Sequence, residues 1–233
     1  MAYEEVTVGD RALVLLPGFL STSAAYSALV APVRDAGYAV EVPALAPGRL
    51  ALLTGRYTVE DEAVDAAALV RERVHAGERV LLAGHSRGGQ AALRAARSLA
   101  ADDDVRTALL GLVLIDPVDG GGRRPSRRTT TAFRSALGVP VTVVGAGCSG
   151  PCAPEPVNHE MFADALPDAR HVVIEGMGHA DMLEGRERSL GRRMCGGADD
   201  PDPARALVTA LLLAALEGRD PETVEDPLLR VVR

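Results

Sequence analysis

Val80-Leu81-Leu82-Ala83 runs directly into Gly84-His85-Ser86-Arg87-Gly88-Gly89, and from there into an Ala-, Leu- and Arg-rich stretch with helical spacing. An apolar strand that passes through G-x-S-x-G into a helix leaves few architectures open. Side chains at 84 and 88 would collide with the adjoining strand and helix, so both positions need glycine. The serine between them takes a strained backbone conformation, which suits a functional position better than a structural one. The helix that follows aims its free amides and its positive dipole end at the same spot. A chance pentapeptide would lack both the strand before and the helix after, so the pattern predicts Ser86 as a nucleophile.

The rest of the chain repeats the alternation of short apolar runs with longer helical patterns. Strands are expected at 12–16, 39–42, 80–83, 109–115, 139–144 and 171–174. Helices are expected at about 23–36, 59–76, 88–101, 159–165 and 203–217. Such a series predicts an α/β fold, a mostly parallel sheet with helices on both faces. Ser23 is a suitable N-cap for the first helix and Gly37 its terminator, while Pro203 follows Asp202 at the start of the last. Residues 117–131 read as irregular, 185–202 as a long surface loop, and 218–233 as a surface tail. No insertion is long enough for a large cap domain, and 117–138 allows only a small lid loop. With 233 residues and no second composition regime, one domain over 1–233 is expected.

Composition narrows the function. The net charge is −7 and aromatics make up 3% of residues, which argues against nucleic-acid partners. All the basic residues are Arg. Three cysteines are too few for a disulfide framework, and Cys148-x3-Cys152 does not have zinc-site spacing. No metal and no cofactor are expected; the cysteines read as packed thiols or as one oxidisable pair. The start Met-Ala-Tyr-Glu-Glu lacks the basic and apolar regions of a secretory peptide, and no run is long enough for stable membrane insertion. A cytoplasmic location is expected.

A serine hydroxyl needs a base, and the base needs an orienting carboxylate. Of five histidines, His179 in Gly176-Met177-Gly178-His179 lies just past the last expected strand, where it can reach back over the strand ends to Ser86. His75, His85, His159 and His171 fall in less suitable places. The acid is more open, because residues 145–154 contain no Asp or Glu. Asp116 sits at the end of the preceding strand, Asp119 belongs to an Asp-Gly turn, and Glu155 and Glu160 remain alternatives. An oxyanion hole would use the backbone amides of Arg87 and of Phe19, the latter in Pro17-Gly18-Phe19-Leu20 after the first strand.

Together, GHSRGG (84–89), IDPVDG (115–120), CAPEPVNHEMF (152–162) and GMGHADML (176–183) resemble the chlorophyllase family of α/β-hydrolases. Weaker echoes are PGF with Tyr26-Ser27, and Cys195. The resemblance implies an α/β-hydrolase fold and a Ser-Asp-His triad that cleaves a carboxylic ester, in that family the phytyl ester of chlorophyll. By matching motif these roles fall on Ser86, Asp116 and His179. Pro17 stands where the family usually has His before the glycine.

An open cleft suits a small-molecule ester with a bulky or hydrophobic part. Leu20, Val118, Phe133, Met161, Met177 and Met182 are candidates to line it. Asn158 and His159 are expected to bond local backbone behind the triad, and Asp181 to cap a turn. Arg123, Arg124, Arg127 and Arg128 form a charged loop. Two other classes fit the same residues: a thioesterase, acyltransferase or lactonising enzyme of a bacterial biosynthetic pathway, and a non-catalytic hydrolase-fold binding protein.

Overall fold

In the computed structural model, which describes residues 8–120 and 134–233, the apolar runs become strands of one sheet. These are β1 (Arg11–Leu16), β2 (Ala39–Glu41), β3 (Arg79–His85), β4 (Leu109–Ile115), β5 (Val141–Cys148), β6 (Arg170–Gly178) and β7 (Leu229–Val231). Their order is β2-β1-β3-β4-β5-β6-β7, parallel throughout except for the antiparallel pairing of β7 on β6. The helices are α1 (Ser27–Asp35), α2 (Arg49–Thr54), α3 (Val59–His75), α4 (Arg87–Leu99), α5 (Asp103–Ala108), α6 (His159–Ala165), α7 (Gly185–Cys195) and α8 (Asp202–Glu217).

Period-two alternation divides the core into two layers. Leu13, Leu15, Leu81, Ala83, Val113 and Ile115 face α1 and α8, whereas Val14, Leu16, Leu82, Leu112 and Leu114 face α3, α4 and α6. Because both faces are covered, the strands read as continuous apolar runs, as parallel strands do. Register then sets the site: Leu16 pairs with Gly84, and His85 with Ile115, so the loops after β1, β3 and β4 leave the sheet at the same edge.

Three expectations change. The segment 185–202 is not a long loop, since α7 occupies its first half; Gly191 lets that helix pack closely, as a Cβ there would lie 2.7 Å from the Ala180 Cβ. The tail carries β7, whose three residues complete the sheet edge against Val172–Ile174. Ser23 begins a 3-10 turn whose N-cap is Thr22, with no side-chain capping bond. Gly37 does take positive φ, 92°, after α1. Cys152 and Cys195 form a disulfide that closes 43 residues and ties the loop after β5 to the end of α7. Chain-entropy arguments put such a constraint at about 4 kcal/mol at most.

Candidate active site

The short links at the sheet edge explain each side chain's position. Ser86 has φ 55° and ψ −123°, between β3 and α4. A Cβ on Gly84 would lie 2.2 Å from the Gly88 carbonyl oxygen, and one on Gly88 2.2 Å from that of Leu16. These contacts exclude any larger residue and drive the serine outward. Only three non-glycine residues among those described have positive φ: Leu20, Ser86 and Asp116. All three lie in loops at this edge, which is where strain accompanies function.

Ser86 Oγ lies 2.9 Å from His179 Nε2, and His179 Nδ1 lies 2.6 Å from Asp116 Oδ2. Asp116 is wholly buried and also accepts from the Ala146 amide at 3.2 Å and from the Ser149 hydroxyl at 2.9 Å. Burial alone would raise its pKa, but the bond and charge of His179, helped by His159 and Ala146, hold the carboxyl below the usual range. An ionised Asp116 only accepts, so the proton of His179 sits on Nδ1 and Nε2 is free to accept from Ser86. Asp181 anchors the loop of His179 by accepting from the amides of Gly178 at 2.7 Å and Ala198 at 3.0 Å.

Asp119 does not simply close a turn. It is buried, and its Oδ1 accepts from the Nε2 of Gln90, a buried residue of α4, at 2.6 Å. Asn158 caps α6 by accepting from the Glu160 amide at 3.0 Å. Among the described residues the His159 ring meets no local backbone; its Nδ1 lies 2.9 Å from His171 Nε2, because Gly145 leaves room for the ring. Arg87 opens α4 with its amide at the free helix end, while its guanidinium pairs with Glu62 at 3.0 Å and covers the Phe19 ring at 5.7 Å. Gly18 packs against Ser86, a Cβ there being 3.3 Å from Ser86 Cβ, so the loop carrying Phe19 runs beside it.

Of the expected cleft residues, Leu20 lines a cavity of about 290 Å³ between the loop after β1, α2 and the start of α4. Met177 and Met182 do not line a cleft. Both are fully buried in the layer under α1 and α8 and pack the core. Val118 is buried too, and its amide donates to Ser86 O at 3.2 Å, bracing the turn that carries Ser86. Met161 is partly exposed on α6. Phe133 and the four arginines at 123–128 lie outside the described residues. The residues missed from sequence are Ser149, Tyr26, the inward-facing His85, and the cavity wall from Ala44 to Leu52.

The buried histidines make stability depend on pH. Burial lowers His85 to about 3 and His171 to about 4, and lowers His159 as well. Below about pH 6.5 the unfolded chain binds protons that the folded chain refuses, so stability must fall as pH falls through this window. His85 alone accounts for roughly 3 kcal/mol between pH 6.5 and 4. The depressed carboxyl of Asp116 acts lower, its contribution being present above about pH 3.9 and lost below. Thermal melts from pH 8 to 4 should show a marked drop in Tm below pH 6.5; a flat Tm down to pH 4.5 contradicts this assignment.

Comparison with known proteins identifies the family and the fold. The sequence profile described as Chlorophyllase matches residues 9–226. The chain belongs to the chlorophyllase family. Chlorophyllase-1 of Arabidopsis thaliana is 36% identical over 120 residues, 46% of this chain and 37% of that protein. The aligned part spans between 33% and 44% of the length of the curated relatives. Among solved structures, Est1E from Butyrivibrio proteoclasticus superposes with a TM-score of 0.62 at 15% identity, covering 91% of this chain and 90% of its own. A hydrolase of the alpha/beta superfamily from Xanthomonas campestris gives 0.50 at 21%, covering 87% and 98%. These place the family member in the α/β-hydrolase fold. No helix among the described residues is long and apolar enough to cross a membrane.

Proposed function

We propose that the protein is a serine carboxylic-ester hydrolase acting through an acyl-enzyme, with Ser86, His179 and Asp116 as its catalytic residues. The observation that carries this reading is the continuous row Ser86–His179–Asp116 at 2.9 and 2.6 Å, drawn from three separate loops. His179 takes the hydroxyl proton as Ser86 Oγ attacks the ester carbonyl carbon. The amides of Phe19 and Arg87 receive the charge that develops on oxygen. Collapse breaks the carbonyl–alcohol bond, and His179 hands its proton to the leaving alcohol. His179 then deprotonates water for attack on the acyl-enzyme, which releases the acid and restores Ser86. Asp116 keeps the imidazole in the required tautomer and supports its cationic form.

The substrate is a small-molecule ester with a bulky or hydrophobic aliphatic arm. The cavity beside Gly18 and Leu20 is walled mainly by apolar groups such as Ala44, Leu45, Leu52 and Ala91, and Glu62, the one acid lining it among the described residues, is paired with Arg87. The relatives' name, chlorophyllase, agrees with a bulky ester whose alcohol is a long hydrocarbon. Each methylene buried contributes about 0.8 kcal/mol. Filling the cavity by Ala44→Trp should therefore lower kcat/KM for p-nitrophenyl octanoate tenfold or more while leaving the acetate within twofold. Equal losses on both esters remove the cavity as the acyl-chain site.

Activity on p-nitrophenyl butyrate, with labelling of Ser86 by a fluorophosphonate probe, tests the main reading. Product transferred or cyclised in place of free acid favours the acyltransfer alternative, and absence of labelling favours a binding protein. A cytoplasmic setting belongs to the same proposal and has a consequence. Reducing thiols there open Cys152–Cys195, so turnover in dithiothreitol should stay within a factor of two or three.

A further inference from the structure

We infer that Tyr26 and His85 are positioning residues, a buried strut that holds the loop bearing Phe19 and the loop bearing His179 in register beneath the nucleophile. The inference deepens the ester-hydrolase reading and rests on it. Three bonds make the strut. The Gly18 amide lies 2.8 Å from the Tyr26 hydroxyl, that hydroxyl lies 2.7 Å from His85 Nδ1, and His85 Nε2 lies 2.9 Å from the carbonyl oxygen of His179.

Chemistry fixes the direction of every bond. A carbonyl oxygen only accepts, so His85 Nε2 carries the proton. In a neutral ring Nδ1 is then bare and accepts from the Tyr26 hydroxyl, which in turn accepts from the Gly18 N–H. The Tyr26 oxygen has a second lone pair, which the Ser21 side chain engages, and the opposite neutral tautomer would turn a bare Nε2 toward the His179 carbonyl. Both ring side chains are buried, Tyr26 completely. Burial and the facing charge of His179 lower the pKa of His85 to about 3, although Asp116 and the His179 carbonyl pull the other way. The ring therefore stays neutral when His179, whose ring centroid is 5.1 Å away, becomes imidazolium during turnover.

The ends of the strut matter most. One end is the backbone of Gly18, immediately before the amide assigned to the oxyanion. The other is the backbone of the base itself, and the middle is the residue bonded to Ser86. Neither end touches the Ser86–His179–Asp116 bonds, so the strut adds a separate constraint between oxyanion donor and base. Core packing alone would not need polar groups that terminate on those two backbones.

The test uses purified wild-type, Tyr26→Phe and His85→Gln proteins with p-nitrophenyl butyrate and an alkyl boronic acid, whose tetrahedral adduct on serine samples the oxyanion donors. Tyr26→Phe should lower kcat ten- to a hundredfold with KM within about twofold. It should also weaken the boronic acid by the same factor as kcat/KM. His85→Gln, which keeps an N–H donor for the His179 carbonyl, should lose less than Tyr26→Phe. A merely structural role would lower Tm but leave kcat and boronic acid affinity within twofold, and that result overturns the strut. Should Tyr26→Phe not fold, His85→Gln with unaltered kcat and inhibition does the same. If wild type neither turns over ester nor labels with fluorophosphonate, the underlying reading falls first. An active wild type with indifferent variants overturns the strut alone.

Discussion

Ser86→Ala is expected to lose at least about 10⁴-fold in kcat on p-nitrophenyl butyrate and to stop labelling with fluorophosphonate, while its thermal midpoint stays close to wild type. The size follows from chemistry. Without Oγ no acyl-enzyme can form, and only the oxyanion donors and binding remain to favour attack by water. The unchanged stability follows from structure: Ser86 Oγ makes its one described bond to His179, at the partly exposed end of the row. Ser86→Gly separates the two roles of the position. It removes the nucleophile equally, but it also relieves the backbone held at φ 55°. Strain of this kind amounts to about 1–3 kcal/mol, set against glycine's larger unfolded-state entropy of roughly 0.5–1 kcal/mol. The glycine variant should thus be inactive and at least as stable as wild type. Substantial turnover by either variant would remove Ser86 from the mechanism, and a much less stable glycine variant would mean that the turn carries no strain.

That the strained turn of Ser86 could be read from sequence reflects how local its constraints are. Gly84, Gly88 and the strand and helix around them lie within one short stretch, and each glycine is required by a backbone contact at 2.2 Å. His179 was legible for a related reason, since a glycine-rich loop after the last long strand must emerge at the same edge as the other strand ends. The remainder of the site is made by tertiary contact. Tyr26 and His85 are 59 positions apart and meet only once β1 and β3 pair. Ser149 gives no local sign that it will donate to Asp116, 33 positions earlier. Cys152 and Cys195 are brought together by a helix that the sequence disguises, because α7 contains four arginines, two glycines and few apolar residues. Met177 and Met182 were misassigned because position beside a catalytic loop does not say which way a side chain turns. Both turn inward to the layer under α8. β7 is three residues long, too short for a period-two signal.

The choice of acid is the sharper test of the site, because two aspartates three residues apart are both buried. Asp116→Asn should lower kcat by about 10³- to 10⁴-fold with KM little changed. An amide in place of the carboxylate can present a donor to His179 Nδ1, which then gives up its proton to Nε2. The imidazole would face Ser86 with an N–H and could not accept the hydroxyl proton. The carboxylate's charge is lost as well, so imidazolium in the transition state has no counter-ion at 2.6 Å. Asp119→Asn should behave differently. It accepts from Gln90 on α4, and an asparagine oxygen can still accept that bond. Weakening one buried charge-assisted bond costs about 1–3 kcal/mol of stability, and kcat should remain within a few-fold. The two variants are thus separated by readout: one loses rate with its fold retained, the other loses Tm with its rate retained. Orders of magnitude lost only in Asp119→Asn would transfer the role of acid to that residue. Equal losses in both would mean that the row from Ser86 through His179 does not end at Asp116 alone.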